Sequence, residues 1–477
     1  MNPSIQEIRE SLVNAVPITT SSHGEAPERG QLYLPPGHAK ALRLECNLVI
    51  GARGVGKSFW TAALQAQDLR HALGKAVKEL ERTDVHVGFG VAPDIDAFPD
   101  METFTQLIAS GFQPFEIWKG VVVRWLSKLK PAVVPIVSWS QTVQWVRDNP
   151  EPLARLVQDT NGELSNRNRF GLILFDALDR TSNDWGMMDG IVRDLLRVVL
   201  WLKSYPRLHA KVFLREDQSD RTITDFPDAS KLLATKAELT WASHDLHGLL
   251  WQTLCNAPGV DGANLRSLYE KVTGGSPQFD QVWFVADEIK RDGPKQRDLF
   301  GALAGPWMGK DRRRGVPYIW SVSHLADGRG RTSPRSFLAA IHQAAEDSLD
   351  NYVSHELPLH FESIKRGVQK ASQIRVSEMA EDYPWVPKVM GPLSGLTVPC
   401  HFEAIEERWL SHLPLGFSGL SDQRLPPQHA ERGWSGVRSD LERLGIFETM
   451  KDGRVNLPDL YRVGFGLGRR GGVKPVK

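Results

Sequence analysis

The stretch Gly51-Ala52-Arg53-Gly54-Val55-Gly56-Lys57-Ser58 fits the pattern G-x-x-x-x-G-K-[ST] at every position. Glycines in such a loop let backbone N–H groups turn inward around phosphate oxygens. The lysine reaches the β- and γ-phosphates, and the serine hydroxyl ligates Mg²⁺. We therefore predict that residues 51–58, together with Phe59, bind a nucleoside triphosphate and Mg²⁺.

The residues on both sides of this loop have the pattern of a strand and a helix. CNLVI (46–50) is a short apolar run, and SFWTAALQAQDLRHAL has apolar residues at helical spacing. A helix in this place directs its positive N-terminus at the phosphates. Further strands are predicted at 85–91, 170–179, 211–217 and 237–241, and helical patterns fill 102–160 and MMDGIVRDLLRVVLWLK. This alternation predicts an α/β fold with a parallel sheet covered on both faces.

The length of 477 residues exceeds one ordinary core and predicts several domains. After the strand-rich part the pattern becomes mainly helical, and the chain ends with a helix (LERLG), a strand (IFETM), a turn (KDG) and a strand (RVNL), as in a winged helix. We predict an N-terminal lead-in (1–40), a P-loop NTPase α/β core (41–242), a helical lid (243–345), a helical linker (346–394) and a winged-helix domain (395–477).

Composition indicates a globular protein of the cytoplasm. Hydrophobic residues make up 41% and charged residues 24%, and the formal net charge is +1, which argues against a protein coated in nucleic acid. The three cysteines are too few and too widely spaced for a disulfide framework or a zinc site. No signal-peptide pattern or apolar run of membrane-spanning length is evident, so no membrane association is expected.

Acidic residues follow the apolar run LILF at the end of a predicted central strand. A phosphate loop needs a metal-orienting acid on a neighbouring strand, and Asp176 is the candidate. Asp179 is the candidate for polarising the attacking water, with a helix cap or an arginine partner as the alternative. Arg180 either pairs with Asp179 or contacts phosphate.

Two arginines are candidates for sensing the γ-phosphate. Arg215 ends the predicted strand VFLRED, and its alternative role is a salt bridge to Glu216 or Asp217. Arg335 follows Ser333-Pro334, which is a helix-start signal. An arginine at the start of a lid helix couples nucleotide state to domain position, and the alternative is a surface cation.

The loop GARGVGKS and the later strand ending in DALDR resemble the ASCE division of P-loop ATPases, and within it the bacterial STAND and KAP-type NTPases. The second motif of those families commonly reads D-D-L-D-R, and Ala177 departs from it at the second acid. The resemblance implies an ATPase and, as for several such ATPases, a role in antiphage defence or another conflict system, whereas the departure at Ala177 implies slow turnover. KAP-type proteins often carry membrane helices between the two motifs, and residues 59–170 contain none.

Cations cluster near the C-terminus and in one internal segment. The tail contains more basic than acidic side chains, namely Lys451, Arg454, Arg462, Arg469, Arg470, Lys474 and Lys477 against Asp452 and Asp459. A winged helix with these cations can bind the DNA backbone, although docking to a protein or a solvated face is the alternative. Arg312, Arg313 and Arg314 are expected to form a solvated loop.

Three hypotheses follow. The first is an ATP-driven molecular switch that hydrolyses ATP slowly and acts within a homo-oligomer on a partner protein or nucleic acid. The second is a DNA-binding regulator that uses ATP as a structural ligand, which the missing acid at Ala177 favours. The third is a small-molecule kinase, for which no substrate signature is present. ATP is expected rather than GTP because no guanine-reading N-K-x-D motif is evident.

Overall fold

The computed structural model describes residues 3–16, 25–219, 222–413, 416, 418–421 and 424–475. The chain divides into two compact units. The sheet unit comprises Leu34–Thr240 with Ser21–Pro27, and the helical unit comprises Met1–Thr20, Glu28–Tyr33 and Trp241–Lys477. The boundary after Thr240 lies close to the predicted end of the core, whereas the finer division into lid, linker and winged helix stays a prediction.

A parallel sheet forms the centre of the sheet unit. In the described residues its five strands are β1 (Leu48–Ile50), β2 (Thr83–Phe89), β3 (Phe170–Phe175), β4 (Leu208–Leu214) and β5 (Ala237–Glu238). They lie in the order β2-β3-β4-β1-β5, and every neighbouring pair is parallel. This confirms the predicted α/β class with a parallel sheet. The carboxyl ends of all these strands therefore meet at one edge, where open α/β sheets bind ligands.

Helices surround this sheet. The first helix of the chain, α1 (Ile5–Ala15), belongs to the helical unit. Those of the sheet unit are α2 (Pro36–Leu42), α3 (Lys57–Gln65), α4 (Gln67–Gly74), α5 (Met101–Ala109), α6 (Pro114–Leu129), α7 (Trp139–Asp148), α8 (Pro150–Asn166), α9 (Trp185–Leu202), α10 (Glu216–Ser219) and α11 (Ser230–Leu233). Consecutive residues of β3 are buried although their side chains alternate between faces, so both faces of the sheet are covered.

Two central strands end earlier than the sequence predicts. The strand predicted over 211–217 ends at Leu214, because the N–H of Arg215 is bound by the side-chain oxygen of Gln218 (3.2 Å) and α10 follows. The strand predicted over 170–179 ends at Phe175, and the chain then turns into a short 3-10 helix. The charged residues after each apolar run thus belong to turns at the sheet edge and not to the strands.

A buried lysine in β4 ties the start of β1 into the core. The side chain of Lys211 is fully buried, and its ammonium donates to the carbonyls of Ala41 (2.6 Å), Arg43 (2.9 Å) and Cys46 (2.6 Å). A buried ammonium is costly unless all its N–H groups have acceptors. These three carbonyls meet that requirement and fix the chain that leads from α2 into β1.

A buried histidine connects α2 to the helix that follows the phosphate loop. His38 in α2 is fully buried; its Nδ1 accepts from the indole N–H of Trp60 in α3 (3.1 Å), and its Nε2 lies 3.0 Å from the carbonyl oxygen of Thr240 after β5. Together these two bonds require the neutral ring, with the proton on Nε2. His38 therefore holds three segments of the sheet unit together only while it is uncharged.

The helical unit contains the remaining helices. They are α12 (Ser243–Cys255), α13 (Gly259–Thr273), α14 (Pro294–Ala304), α15 (Pro317–Ser323), α16 (Pro334–Asn351), α17 (Phe361–Asp382), α18 (Trp385–Met390), α19 (Phe402–His412), α20 (Ser418–Ser421), α21 (Trp434–Arg443) and α22 (Asp459–Arg462). The predicted helix start at Ser333 is confirmed, because its hydroxyl accepts from the N–H of Ser336 (3.2 Å). Among the helices in the described ranges, none has the length and apolar character needed to cross a bilayer.

Within the described residues, short antiparallel hairpins interrupt these helices at two places. The hairpin of β6 (Gln278–Asp280) and β7 (Val282–Phe284) was not predicted. The second, β8 (Glu448–Thr449) with β9 (Val455–Asn456), follows α21 where a hairpin is predicted, and Val455 also bridges to Cys400. The predicted order of helix, strand, turn and strand is thus present, while its identification as a winged helix stays a prediction.

We predict that the unfolding free energy falls as the pH is lowered from 6.5 towards 4. Burial lowers the pKa of His38 to about 4, whereas an unfolded histidine titrates near its ordinary value of about 6.5. In this window the unfolded chain binds a proton that the folded chain excludes, so acid favours unfolding. From pH 7 to pH 5, His38 alone is expected to cost about 2 kcal/mol, measured by chemical denaturation of the full-length protein.

The variant His38→Gln is expected to lose part of this pH dependence, because glutamine does not titrate. His71→Gln is the matched control, since its side chain is 78% exposed in the same unit. An identical pH dependence in His38→Gln and the unmodified protein would contradict the assignment.

Candidate functional site

The phosphate loop begins where β1 meets its two neighbours. The N–H of Gly51 donates to the carbonyl of Leu214 at the end of β4 (3.1 Å), and the N–H of Leu239 donates to Ile50 (2.8 Å). A Cβ on Gly51 would lie 2.6 Å from a methyl group of Val55, so no larger side chain fits without a shift. The start of the loop is therefore fixed at the carboxyl edge of the sheet.

The end of the loop is a left-handed turn into α3. Gly56 has φ +105°, a conformation that other residues rarely adopt, and it is the N-cap of the helix. The first N–H groups of a helix have no intrahelical acceptor, so those of Lys57, Ser58 and Phe59 are available to an anion. Residues 52–54 are half-buried and Ser58 is exposed, so the loop is open to a ligand and is not sealed against the core.

The side chain of Lys57 folds back over its own loop. Its ammonium donates to the carbonyls of Gly51 and Ala52, at 2.8 Å each, and an ammonium has three N–H donors. Burial, assisted by the positive charge of Arg215, lowers the pKa of Lys57 to about 8, while Asp176 acts in the opposite direction. The arrangement leaves a third N–H for a phosphate oxygen.

Asp176 lies directly beyond β3, and its side chain faces the loop. Its own N–H donates to Phe89 at the end of β2 (2.9 Å), and the residue is 3% exposed. The Ser58 hydroxyl and the N–H of Ala177 lie against this carboxylate and favour its charged form. Burial raises the pKa of Asp176, and the Ser58 hydrogen bond and the charge of Lys57 oppose that rise. The predicted loop and the predicted metal acid are therefore adjacent.

The donor set at this point fits Mg²⁺. The Oδ2 atom of Asp176 is buried and has no hydrogen-bond partner among the described residues, and the Ser58 hydroxyl contacts the same carboxylate. Magnesium prefers oxygen ligands, takes one or two from the protein and completes its shell with water and phosphate. In the described part of the chain, no group of three or more His, Cys, Asp or Glu side chains is placed to hold a metal.

The residue after Asp176 has a strained backbone. Ala177 adopts φ +55° and ψ +35° and caps the 3-10 helix Leu178–Arg180. The left-handed conformation costs a residue with a Cβ roughly 1–2 kcal/mol, and such strain is concentrated at functional sites. It turns the chain so that Asp179 lies on the same side as the loop, where its charge acts on Lys57.

Arg215 lies between two acids at the end of β4. Its guanidinium is 3.8 Å from the Asp179 carboxylate and 3.1 Å from that of Asp217, and all three side chains are largely buried. Because β4 lies between β1 and β3, Arg215 is close to both phosphate motifs, and its charge acts on Lys57. Sequence reasoning treated Asp217 only as an alternative partner of Arg215, although its charge also acts on Lys57. The sequence signal for a role of Asp217 was the run of charged residues Arg215-Glu216-Asp217 directly after an apolar strand.

The two remaining arginine candidates have other partners. The exposed guanidinium of Arg180 donates to the carbonyl of Val91 after β2 (3.2 Å). Arg335 belongs to the helical unit, where it pairs with Glu378 of α17 at 2.6 Å. Its proposed contact with nucleotide stays a prediction.

One prediction for the basic tail is wrong. Arg462 is fully buried and pairs with Asp459 at 2.7 Å, so it cannot contact DNA. Arg454 pairs with Asp452 (2.7 Å), and Lys451, Arg470 and Lys474 are exposed. Lys477 lies outside the described residues. Arg312, Arg313 and Arg314 are all exposed, as expected for a solvated segment.

Comparisons with known proteins give no family for this chain. No protein-family model matches it, and the search of curated proteins found no match. Among solved structures, the Aeropyrum pernix ORC2 protein in its ADPNP–ADP complexes is 14% identical with a TM-score of 0.41, over 91% of this chain and 94% of that chain. The ADP form of the same protein is 12% identical with a TM-score of 0.30, over 91% and 93%. Similarity at this level carries no conclusion about the present chain.

Proposed function

We propose that the sheet unit binds Mg-ATP and hydrolyses it slowly. The observation that carries this proposal is that the two phosphate motifs meet: the Ser58 hydroxyl and the charge of Lys57 both act on the buried carboxylate of Asp176. The two segments are more than a hundred residues apart in the chain and meet at the carboxyl edge of the sheet. A loop of this sequence has no need of a buried acid unless it handles a metal-bound phosphate.

Each residue of the site has a distinct task in this proposal. The N–H groups of residues 51–58 surround the phosphates, and Lys57 binds the β- and γ-phosphates. Ser58 and Asp176 would hold Mg²⁺, which when bound would supply positive charge to the phosphates. Arg215, held between Asp179 and Asp217, is placed to respond to the γ-phosphate.

The step that limits turnover is water activation. Asp179 is the carboxylate available for it, but this side chain also faces Arg215 at 3.8 Å, so the attacking water would share it with a cation. The position next to Asp176, where the resembling families commonly have a second acid, is Ala177. Slow hydrolysis suits a switch, in which the lifetime of the bound nucleotide matters more than the rate of product formation.

A second function is favoured by the same alanine. A chain without the second acid can retain ATP as a structural ligand, and the protein would then act as a DNA-binding regulator through its C-terminal segment. The exposed cations Lys451, Arg470 and Lys474 would provide backbone contacts, and the affinity for DNA would fall as salt is raised. Action on a partner protein, homo-oligomer formation and a role in antiphage defence are further proposals that rest on the family resemblance.

We predict that Lys57→Ala and Asp176→Ala each lower the rate of ATP hydrolysis at least about 100-fold, because the first removes a cation that stabilises the transferring phosphoryl group and the second removes the acid that would hold Mg²⁺. Steady-state phosphate release by the full-length protein is the measurement. Arg155→Ala is the matched control, because this arginine is 74% exposed on α8. Unchanged turnover in both site variants would refute the proposal.

We predict that Ala177→Asp raises the turnover number for ATP, whereas Ala177→Asn does not. Asparagine and aspartate both tolerate the left-handed backbone at this position, so the pair differs mainly in the carboxylate that could polarise water. Single-turnover hydrolysis separates this effect from nucleotide binding. Equal rates for the two variants would show that the missing acid does not limit the reaction.

We predict that affinity for ATP weakens as the pH rises above 8. The pKa of Lys57 is lowered to about 8 by burial, so above that pH the unliganded site increasingly contains a neutral amine, which attracts phosphate less. Binding should restore the ammonium and take up as much as one proton. Calorimetric titration at pH 9 in two buffers of different ionisation enthalpy measures this uptake. Binding without proton uptake would contradict the shifted pKa.

A further inference from the structure

The helical unit has a polar cavity that the proposed ATPase function does not use. Its volume is about 390 Å³, and it lies between the short segment 28–30, the start of α13 and the β6–β7 hairpin. The lining includes two arginines, Arg29 and Arg266, and two aromatic residues, Phe279 and Trp283. We name it the arginine cavity. Its size is at the lower end of the range for small-molecule sites.

The charges in the arginine cavity favour an anion. Arg29 donates through Nη1 to the side-chain oxygen of Gln281, but its Nε is buried and has no hydrogen-bond partner among the described residues. Arg266 donates through Nη1 to the carbonyl of Cys255 (2.6 Å). Glu28 is the single carboxylate among the lining residues, and it is exposed. An anion that accepts from Arg29 would satisfy a buried N–H that is costly to leave unpaired.

An aromatic face adjoins these cations. The Phe279 side chain is 64% exposed, and its ring centroid is 4.9 Å from that of Trp283. The Arg266 guanidinium lies 4.5 Å from the centroid of the Trp283 ring. An exposed phenylalanine ring gains by stacking with a planar partner. The cavity thus combines a site for an anion with a site for a flat ring.

The walls of the cavity are held in place before any ligand binds. The side-chain amide of Asn256 accepts from the N–H of Trp283 (2.9 Å) and donates to its carbonyl (2.8 Å), as a neighbouring strand would. At the tip of the hairpin, Gln281 has φ +61°, a strained conformation for a residue with a Cβ. In this conformation the Gln281 side chain accepts a hydrogen bond from Arg29. A rigid site loses little entropy on binding.

We propose that the arginine cavity binds a nucleotide unit, with the phosphate at Arg29 and Arg266 and the base stacked on Phe279. A simple anion would satisfy the arginines but would leave the phenylalanine ring in water. A nucleotide provides both a phosphate and a planar base, which is the combination that proteins bind with cations and exposed aromatic rings. The unit is either a free nucleotide or one residue of a single strand.

Titration calorimetry with AMP tests the proposal in full-length protein carrying Lys57→Ala, which removes the lysine of the phosphate loop. Arg29→Gln and Phe279→Ala are each expected to weaken AMP binding about tenfold, through loss of a charged hydrogen bond and of a stacking contact. Arg312→Gln, at an exposed arginine of the same unit, should leave the affinity unchanged. Phe279→Ala alters an exposed side chain, so it remains informative even if Arg29→Gln fails to fold.

The proposal is overturned if AMP does not bind, if both cavity variants retain full affinity, or if inorganic phosphate binds as tightly as AMP. A short oligothymidylate in the same assay distinguishes the two sources of the nucleotide. Tighter binding of the oligonucleotide than of AMP, with affinity that falls as salt rises, supports a single strand. Equal affinities support a free nucleotide. Neither result depends on ATP hydrolysis, so the cavity and the phosphate loop are tested separately.

Discussion

The ammonium of Lys57 and the carboxylate of Asp176 stabilise each other where the sheet ends, in a region with little access to water. Removing either charge from water is unfavourable, and burial indeed lowers the pKa of the lysine and raises that of the aspartate. The attraction between them opposes both shifts, and it is stronger in this environment than it would be in bulk water. This pair requires that β1 and β3 end at the same edge of the sheet, which the parallel order of the strands ensures.

The surrounding charges extend this pairing into a network. Arg215 enters from β4 and its charge lowers the pKa of Lys57, but Asp179 and Asp217 lie against the arginine and act on Lys57 in the opposite sense. Three carboxylates, Asp176, Asp179 and Asp217, thus act on Lys57 together with Arg215.

The phosphate motifs could be predicted from the sequence because their chemistry is local. The loop 51–58 is one continuous segment, and Asp176 follows an apolar run that has to be a buried strand. The predicted ends of β3 and β4 lie too far along the chain, because a charged residue after a strand can either extend the strand or begin a turn. Contacts such as the hydrogen bond from the N–H of Arg215 to the side chain of Gln218 determine which of the two forms.

Features made by distant segments were beyond such reasoning. The burial of Arg462 depends on its pairing with Asp459 inside a packed unit, so a count of basic residues overstated the exposed charge. The arginine cavity is lined by segment 28–30 and by residues more than two hundred positions later, so no local sequence pattern predicts it. The β6–β7 hairpin forms one of its walls, and its strands are too short to show a clear alternation of polar and apolar residues.

The strand order also has a consequence for the growing polypeptide. In the described structure, the apolar strand β1 pairs with β4 and β5, which begin at Leu208 and Ala237. During synthesis on the ribosome, Leu48–Ile50 emerges long before either partner exists, and long-range pairings of this kind form slowly. The strand that precedes the phosphate loop therefore stays unpaired until the middle of the chain has been synthesised. During that time it can aggregate or be bound by a chaperone.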